Sequence, residues 1–207
     1  DSETILTSLE QGETGVFMPL ENLDSVEALN DVEFFWTQAD FLQIADALSK
    51  FIWKEPLDLK NWSVYRIGFS RYCDSSGFDS VYLTYFKTDR IYGWKTYTIR
   101  SIEIDPYFNN VMWGDETTYL QPGLYKWTGV DLTEVRITAD DAHQIAEENG
   151  GKEARSKVGN ECRIFLSMPP DQETNDDRWE VYYVGDYLFK MLIDPYTGEY
   201  EIVNRDQ

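Results

Sequence analysis

The chain has 207 residues, with 18 Lys and Arg against 38 Asp and Glu, a formal net charge of −20, and one histidine. That balance excludes nucleic acid and anionic lipid as main partners, because neutralising phosphates takes clustered cations, and a single imidazole excludes sites built on two or more histidines. With 42% apolar and 15% aromatic residues, the chain is too hydrophobic for a disordered polyanion and is expected to bury a core.

Residues 1–49 hold eleven acids and no Lys or Arg. Residues 1–36 read as an acidic leader, either plainly solvated or an electrostatic handle for a basic partner. At Thr37 the pattern changes. Thr37 followed by Asp40 matches a helix-capping box, and Phe41, Ile44, Ala45 and Leu48 fall at i, i+3, i+4 and i+7, which predicts an amphipathic helix. Alternating segments at 62–69, 80–87 and 95–104 predict strands. Within the third, Tyr97 and Ile99 sit on odd positions but Ile102 and Ile104 on even ones, a parity change that predicts a bulge near Arg100-Ser101. Ile104-Asp105-Pro106-Tyr107 stops that strand, since proline lacks an amide donor, and Asn109-Asn110 turns into a short strand at Val111-Met112-Trp113.

Residues 114–131, which include Pro122-Gly123, read as a linker, after which the series starts again. Thr138 and Asp141 repeat the capping box; Ala142, Ile145 and Ala146 repeat the apolar face; Asn149-Gly150-Gly151 predicts the helix end. Strands are predicted at 162–168, 179–184 and 187–193, the last with Tyr187, Phe189, Met191 and Ile193 on one face. Ile193-Asp194-Pro195-Tyr196 repeats the earlier stop, and Tyr200 to Val203 reads as a return strand. The expected fold is therefore α+β, with two tandem units at 37–113 and 132–207, each one helix packed on its own antiparallel sheet.

The segment Ile137-Thr-Ala-Asp-Asp-Ala to Asn149-Gly-Gly, the strand Trp179-Glu-Val-Tyr-Tyr and the terminal Ile193-Asp-Pro-Tyr-Thr-Gly-Glu resemble the PepSY domain family. The likeness is good over 137–203 and weaker over 37–113. It implies an extracytoplasmic bacterial module, secreted or anchored through a removed or lipidated N-terminus, without catalytic residues or cofactors, and with a peptidase or a larger envelope complex as partner. The start at Asp1-Ser2-Glu3 and the acidic, Tyr- and Trp-rich composition lean the same way. No apolar run approaches the ~20 residues needed to cross a bilayer.

Residues with potential chemistry are few. Cys73 and Cys162, 89 residues apart, are either a bridge or two isolated thiols. His143, beside the apolar face of the second helix, reads as a boundary histidine rather than a catalytic base. Asp105 and Asp194 recur because they end strands, and the acidic run from Asp171 to Asp177 lacks the spacing of a calcium loop. Trp94, Trp113 and Trp127 are the candidate exposed aromatics and define the expected interaction surface. The leading expectation is a non-catalytic module that recognises another protein at the cell envelope. The alternatives are a carbohydrate-binding surface on those tryptophans and, last, an enzyme working through paired carboxylates.

Overall fold

The apolar alternation closes into a single sheet. The computed structural model describes residues 37–57, 61–105, 110–119, 129–158, 162–168, 177–185 and 189–203. Helix α1 spans Gln38–Trp53 and is followed by β1 (Ser63–Tyr72), β2 (Ser80–Ile91), β3 (Trp94–Asp105) and β4 (Asn110–Tyr119). Helix α2 (Ala139–Ala146) runs through a kinked turn at Glu147–Gly151 into α3 (Lys152–Val158), and then come β5 (Arg163–Met168), β6 (Trp179–Val184), β7 (Phe189–Ile193) and β8 (Tyr200–Ile202). The sheet order is β4-β3-β2-β1-β5-β6-β7-β8, antiparallel at every pair.

The expectation of two tandem units, each helix on its own sheet, is therefore corrected. A helix followed by a four-strand meander does occur twice in the chain, but β1 pairs directly with β5 from Ile67↔Met168 to Tyr72↔Arg163. That pairing removes two sheet edges and merges two apolar faces. One core cluster results, reaching from Phe41, Ile44 and Leu48 through Ile67 and Phe69 to Leu166, Trp179 and Met191. Phe69 lies 5.9 Å from the ring of Phe41 and 6.2 Å from that of Trp179, so aromatic contact crosses the seam. Burying each such ring contributes roughly 1.5–3 kcal/mol.

Both capping boxes form, Thr37 with Asp40 and Thr138 with Asp141. The two helix starts also cap each other. The Gln38 amide donates to Asp140 Oδ2 at 3.0 Å, and the Ala139 amide donates to Gln38 Oε1 at 2.8 Å. Two positive helix ends are thereby brought together with acceptors on both sides. Burial, the largest effect, raises the Asp140 pKa, and Asp141 and Asp40 push the same way, while the backbone hydrogen bonds oppose.

Local details depart from the sequence reading in three places. The parity change in β3 is not a bulge, since β3 runs in unbroken register along β2 and β4. Tyr97 is buried because its end of the other sheet face carries a small aromatic cluster, with Phe86 at 6.0 Å and Tyr65 a further 6.2 Å from Phe86. The irregularity sits instead in β1, between Val64 and Arg66. The second helix does not end at Asn149-Gly150-Gly151. Gly150 takes φ +120°, the chain bends, and the helix resumes, burying Ala154. Finally, β4 continues to Tyr119, so the first six residues of the predicted linker are strand.

Cys73 and Cys162 form a disulfide with Cα atoms 5.4 Å apart. They extend the β1–β5 register by one step, and the Cys73 amide donates to the Cys162 carbonyl at 3.1 Å. In the chain-entropy picture, closing 89 residues is worth about 4–5 kcal/mol. Replacing both cysteines by serine is expected to lower the unfolding free energy in urea by about that amount with an unchanged far-UV spectrum; a loss below about 1 kcal/mol would mean the seam holds the unfolded chain without help. Gln38→Ala is expected to cost about 1 kcal/mol, the usual penalty for a lost helix cap, in the same urea titration.

Candidate functional site

The described helices all lie on one side of the sheet, over Ile67, Val81, Leu83, Ile102, Leu166, Val181 and Met191, and among the described residues no helix covers the other side, here the helix-free face. The opposite face is read from the register. One row crosses the eight described strands: Met112, Glu103, Tyr82, Gly68, Ser167, Glu180, Leu192 and Glu201 are successive partners. The next row over the seam is Ser70, Phe165, Tyr182 and Lys190, and beyond it lie Tyr72, Arg163 and Val184.

This face mixes rings with cations. Arg163 sits 4.6 Å from the Tyr72 ring and 5.5 Å from that of Phe165, and its Nη2 donates to Ser70 Oγ at 3.0 Å and to Asp79 Oδ1 at 3.2 Å. Asp79 also accepts the Tyr72 amide and the Ser70 hydroxyl, so the guanidinium is held between its rings. Lys190 stacks 4.8 Å from Tyr182 and bonds Glu180 at 3.1 Å. Arg66 lies 4.9 Å over Tyr82, whose ring occupies the space a side chain at position 68 would need, 2.2 Å from an ideal Cβ on Gly68. Tyr72 is 42% exposed, and Phe165 and Val184 are each 39% exposed. A contiguous aromatic and aliphatic patch with a pre-positioned arginine is the composition that carries binding energy at protein interfaces.

Toward the other end of the face, a groove of about 270 Å³ runs over Thr84 and Ser101, bordered by Tyr82, Glu103 and Met112. It opens onto β4, the outermost strand.

A second concentration of polar groups is buried under the helices. Glu147, at the kink, accepts Tyr183 Oη at 2.7 Å and Arg155 Nη2 at 2.6 Å. Arg155 also donates to the Cys73 carbonyl at 3.1 Å, tying the kink to the disulfide. His143 Nε2 lies 3.9 Å from Glu147 Oε1 and is buried without a hydrogen-bond partner. Burial, then the charges of Arg71 and Arg155, push its pKa down to about 4, against the pull of Glu147. Tyr183 is pushed well above its ordinary value by burial and by its bond to Glu147. This arrangement holds a neutral imidazole and a paired carboxylate in a largely buried position. Gly151 is required there, because a Cβ would stand 2.4 Å from Tyr183 Oη. We read the cluster as the structural lock of the kink.

The residues singled out in the sequence are dispersed. Trp94 stands at the β2–β3 hairpin, 64% exposed, and Trp113 on β4, 54% exposed. Trp113 pairs with Ile102, eight positions along β3 from Trp94, about 26 Å at strand rise; the pair makes no common stacking platform. Trp127 lies outside the described residues, as do the leader 1–36 and most of the Asp171–Asp177 loop. Asp194 does what its motif predicts, accepting the amides of Tyr196 and Thr197 at 2.8 Å each. Burial, its largest single influence, pushes the Asp194 pKa up, but these amide bonds outweigh it and the net shift is downward. Asp105 ends β3. Among the described residues, no group of three or more His, Cys, Asp and Glu side chains could hold a metal ion, and no helix is long and apolar enough to cross a membrane. The seam patch went unseen in sequence because Tyr72, Phe165 and Val184 meet only through a pairing that spans about half the chain.

No family model, no curated protein and no solved structure matches this chain.

His143 gives a pH test of the buried cluster. Its unfolded imidazole titrates near 6.5 and the folded one near 4, so between these values the unfolded chain binds the extra proton and stability falls as pH falls. At about 1.4 kcal/mol per unit, the loss across the window is roughly 3 kcal/mol. His143→Gln is expected to flatten that part of the stability profile, measured by urea unfolding from pH 7 to pH 4; a variant profile parallel to the wild type would show that the imidazole is not held neutral.

Proposed function

We propose that this chain is a non-catalytic binding module that recognises another protein through the helix-free face of its sheet, and that it works at the cell envelope. The observation that carries this reading is the patch of Tyr72, Arg163, Phe165 and Val184 across the β1–β5 seam. Its rings are exposed, its arginine is fixed by Asp79 and Ser70, and forming an interface there costs little side-chain ordering. The disulfide supports an oxidising, extracytoplasmic compartment. So does the resemblance of the 137–203 segment to PepSY-like modules, which adds peptidases to the partner classes.

Selection of peptides from a displayed random library on the immobilised full chain provides the test. Tyr72→Ser and Phe165→Ser are each expected to weaken the enriched binders about tenfold or more, the scale of a central interface residue, while leaving the melting temperature within a few degrees of wild type. Enriched binders indifferent to both substitutions would overturn the assignment to this face.

A further inference from the structure

The two ends of the sheet differ. At one end β8 is three residues long, a blunted edge of the kind that resists further pairing. At the other, β4 runs ten residues, Asn-Val-Met-Trp-Gly-Asp-Glu-Thr-Thr-Tyr, with no proline and no lysine to discourage pairing. Among the described residues no segment pairs with its outer side. Met112 is 50% and Trp113 54% exposed, Gly114 and Asp115 are exposed, and nothing lies within 4 Å of an ideal Cβ on Gly114.

We propose that the β4 edge receives an extended, cationic segment of the partner protein as a ninth strand. This rests on the reading of the chain as a partner-binding module and names the chemistry of what it binds. An added strand presents alternate side chains to the two sheet faces. On the helix-free face they meet Met112 and the groove bordered by Tyr82, where a medium-sized apolar side chain fits beside the exposed carboxylate of Glu103. On the other face they meet the exposed Trp113 ring, which suits a lysine or arginine laid over it, beside Asp115, whose carboxylate already accepts from Arg100 Nε at 3.4 Å. The β4 sequence carries Asp115 and Glu116 and no Lys or Arg, on a chain of net charge −20. Charge therefore selects a basic segment and disfavours a second copy of this chain.

The experiment measures fluorescence anisotropy of a labelled synthetic probe of about ten residues, a typical long strand, in which Lys alternates with Val and Thr. Two control probes carry Glu in place of Lys, or N-methyl groups on alternate amides. Saturable binding of the Lys probe is expected, with about tenfold weaker binding or worse for each control. Glu103→Lys and Trp113→Ser are each expected to weaken the Lys probe about fivefold or more. Glu199→Lys, the same charge change on an exposed turn away from β4, is expected to leave it within about twofold. Circular dichroism melts establish that each variant is folded. Equal binding of the N-methylated probe, or indifference to both Glu103→Lys and Trp113→Ser, overturns the proposal as mere adsorption to an acidic surface. Display binders that depend on Phe165 yet bind the Glu103→Lys chain unchanged overturn the edge and leave partner recognition standing; failure of the Lys probe to bind, with no enrichment of any peptide, overturns both.

Discussion

The antiparallel pairing of β1 with β5 is the constraint on which the rest of this structure depends. It joins residues about 90–100 positions apart, and through it two similar halves become one sheet with one core. Ordering so non-local a contact costs loop-closure entropy before it gains anything. Three features offset that cost at the same place. The disulfide continues the ladder beyond Tyr72 and Arg163, the Phe41–Phe69–Trp179 rings cross it on the inner face, and the reciprocal caps of Gln38 and Asp140 join the helices above it. The covalent, apolar and polar links between the halves all lie along this line.

What was legible in the sequence was local. The Thr37–Asp40 and Thr138–Asp141 boxes, the apolar stripe of α1 and the Asp194 turn are each decided by residues within a few positions of one another, and each formed as its pattern requires. What was not legible was long-range. Nothing in Val64 to Phe69 specifies that its partner is Leu166 rather than the edge of a separate sheet, because any amphipathic strand satisfies the same periodicity. The repeat was visible, and it pointed to two bodies; two copies of one meander can equally fuse through their first strands. The β3 parity shift misled for a related reason. Alternation records which side is buried, and Tyr97 is buried on the side away from the helices by Phe86. At Gly150 a stop signal was read where the structure bends, since a positive φ ends a helix only if no neighbour holds the next turn, and here Glu147 grips Arg155 across the kink.

The two polar concentrations are chemically opposite, and that contrast separates the structural cluster from the face proposed for recognition. Around Glu147 the carboxylate is bonded to Tyr183 and Arg155, and the buried atoms left without a partner are His143 Nε2 and Arg155 Nε. Removing a partner there leaves a buried charge uncompensated, which is a stability effect. On the helix-free face, Arg163 and Lys190 are neutralised by Asp79 and Glu180 yet keep aromatic neighbours in contact with solvent. Such groups are already ordered and only partly desolvated, so a partner that completes their burial gains contact without first rearranging them.

Acidity gives this arrangement its direction. A ten-residue edge without lysine or proline is an invitation to pair with any strand, including the same edge of another copy. Proteins usually close such an edge with local charges of repelling sign. Here the repulsion is global: two chains of −20 approaching edge to edge oppose each other over the Debye length of about 8 Å at physiological salt. A cationic segment feels the reverse field and is steered toward the same surface. The excess of acids thus does two things that a neutral chain would need separate devices for. In the proposed mode of binding it opposes self-association of the open strand and biases what the strand accepts, and both effects weaken together as salt rises.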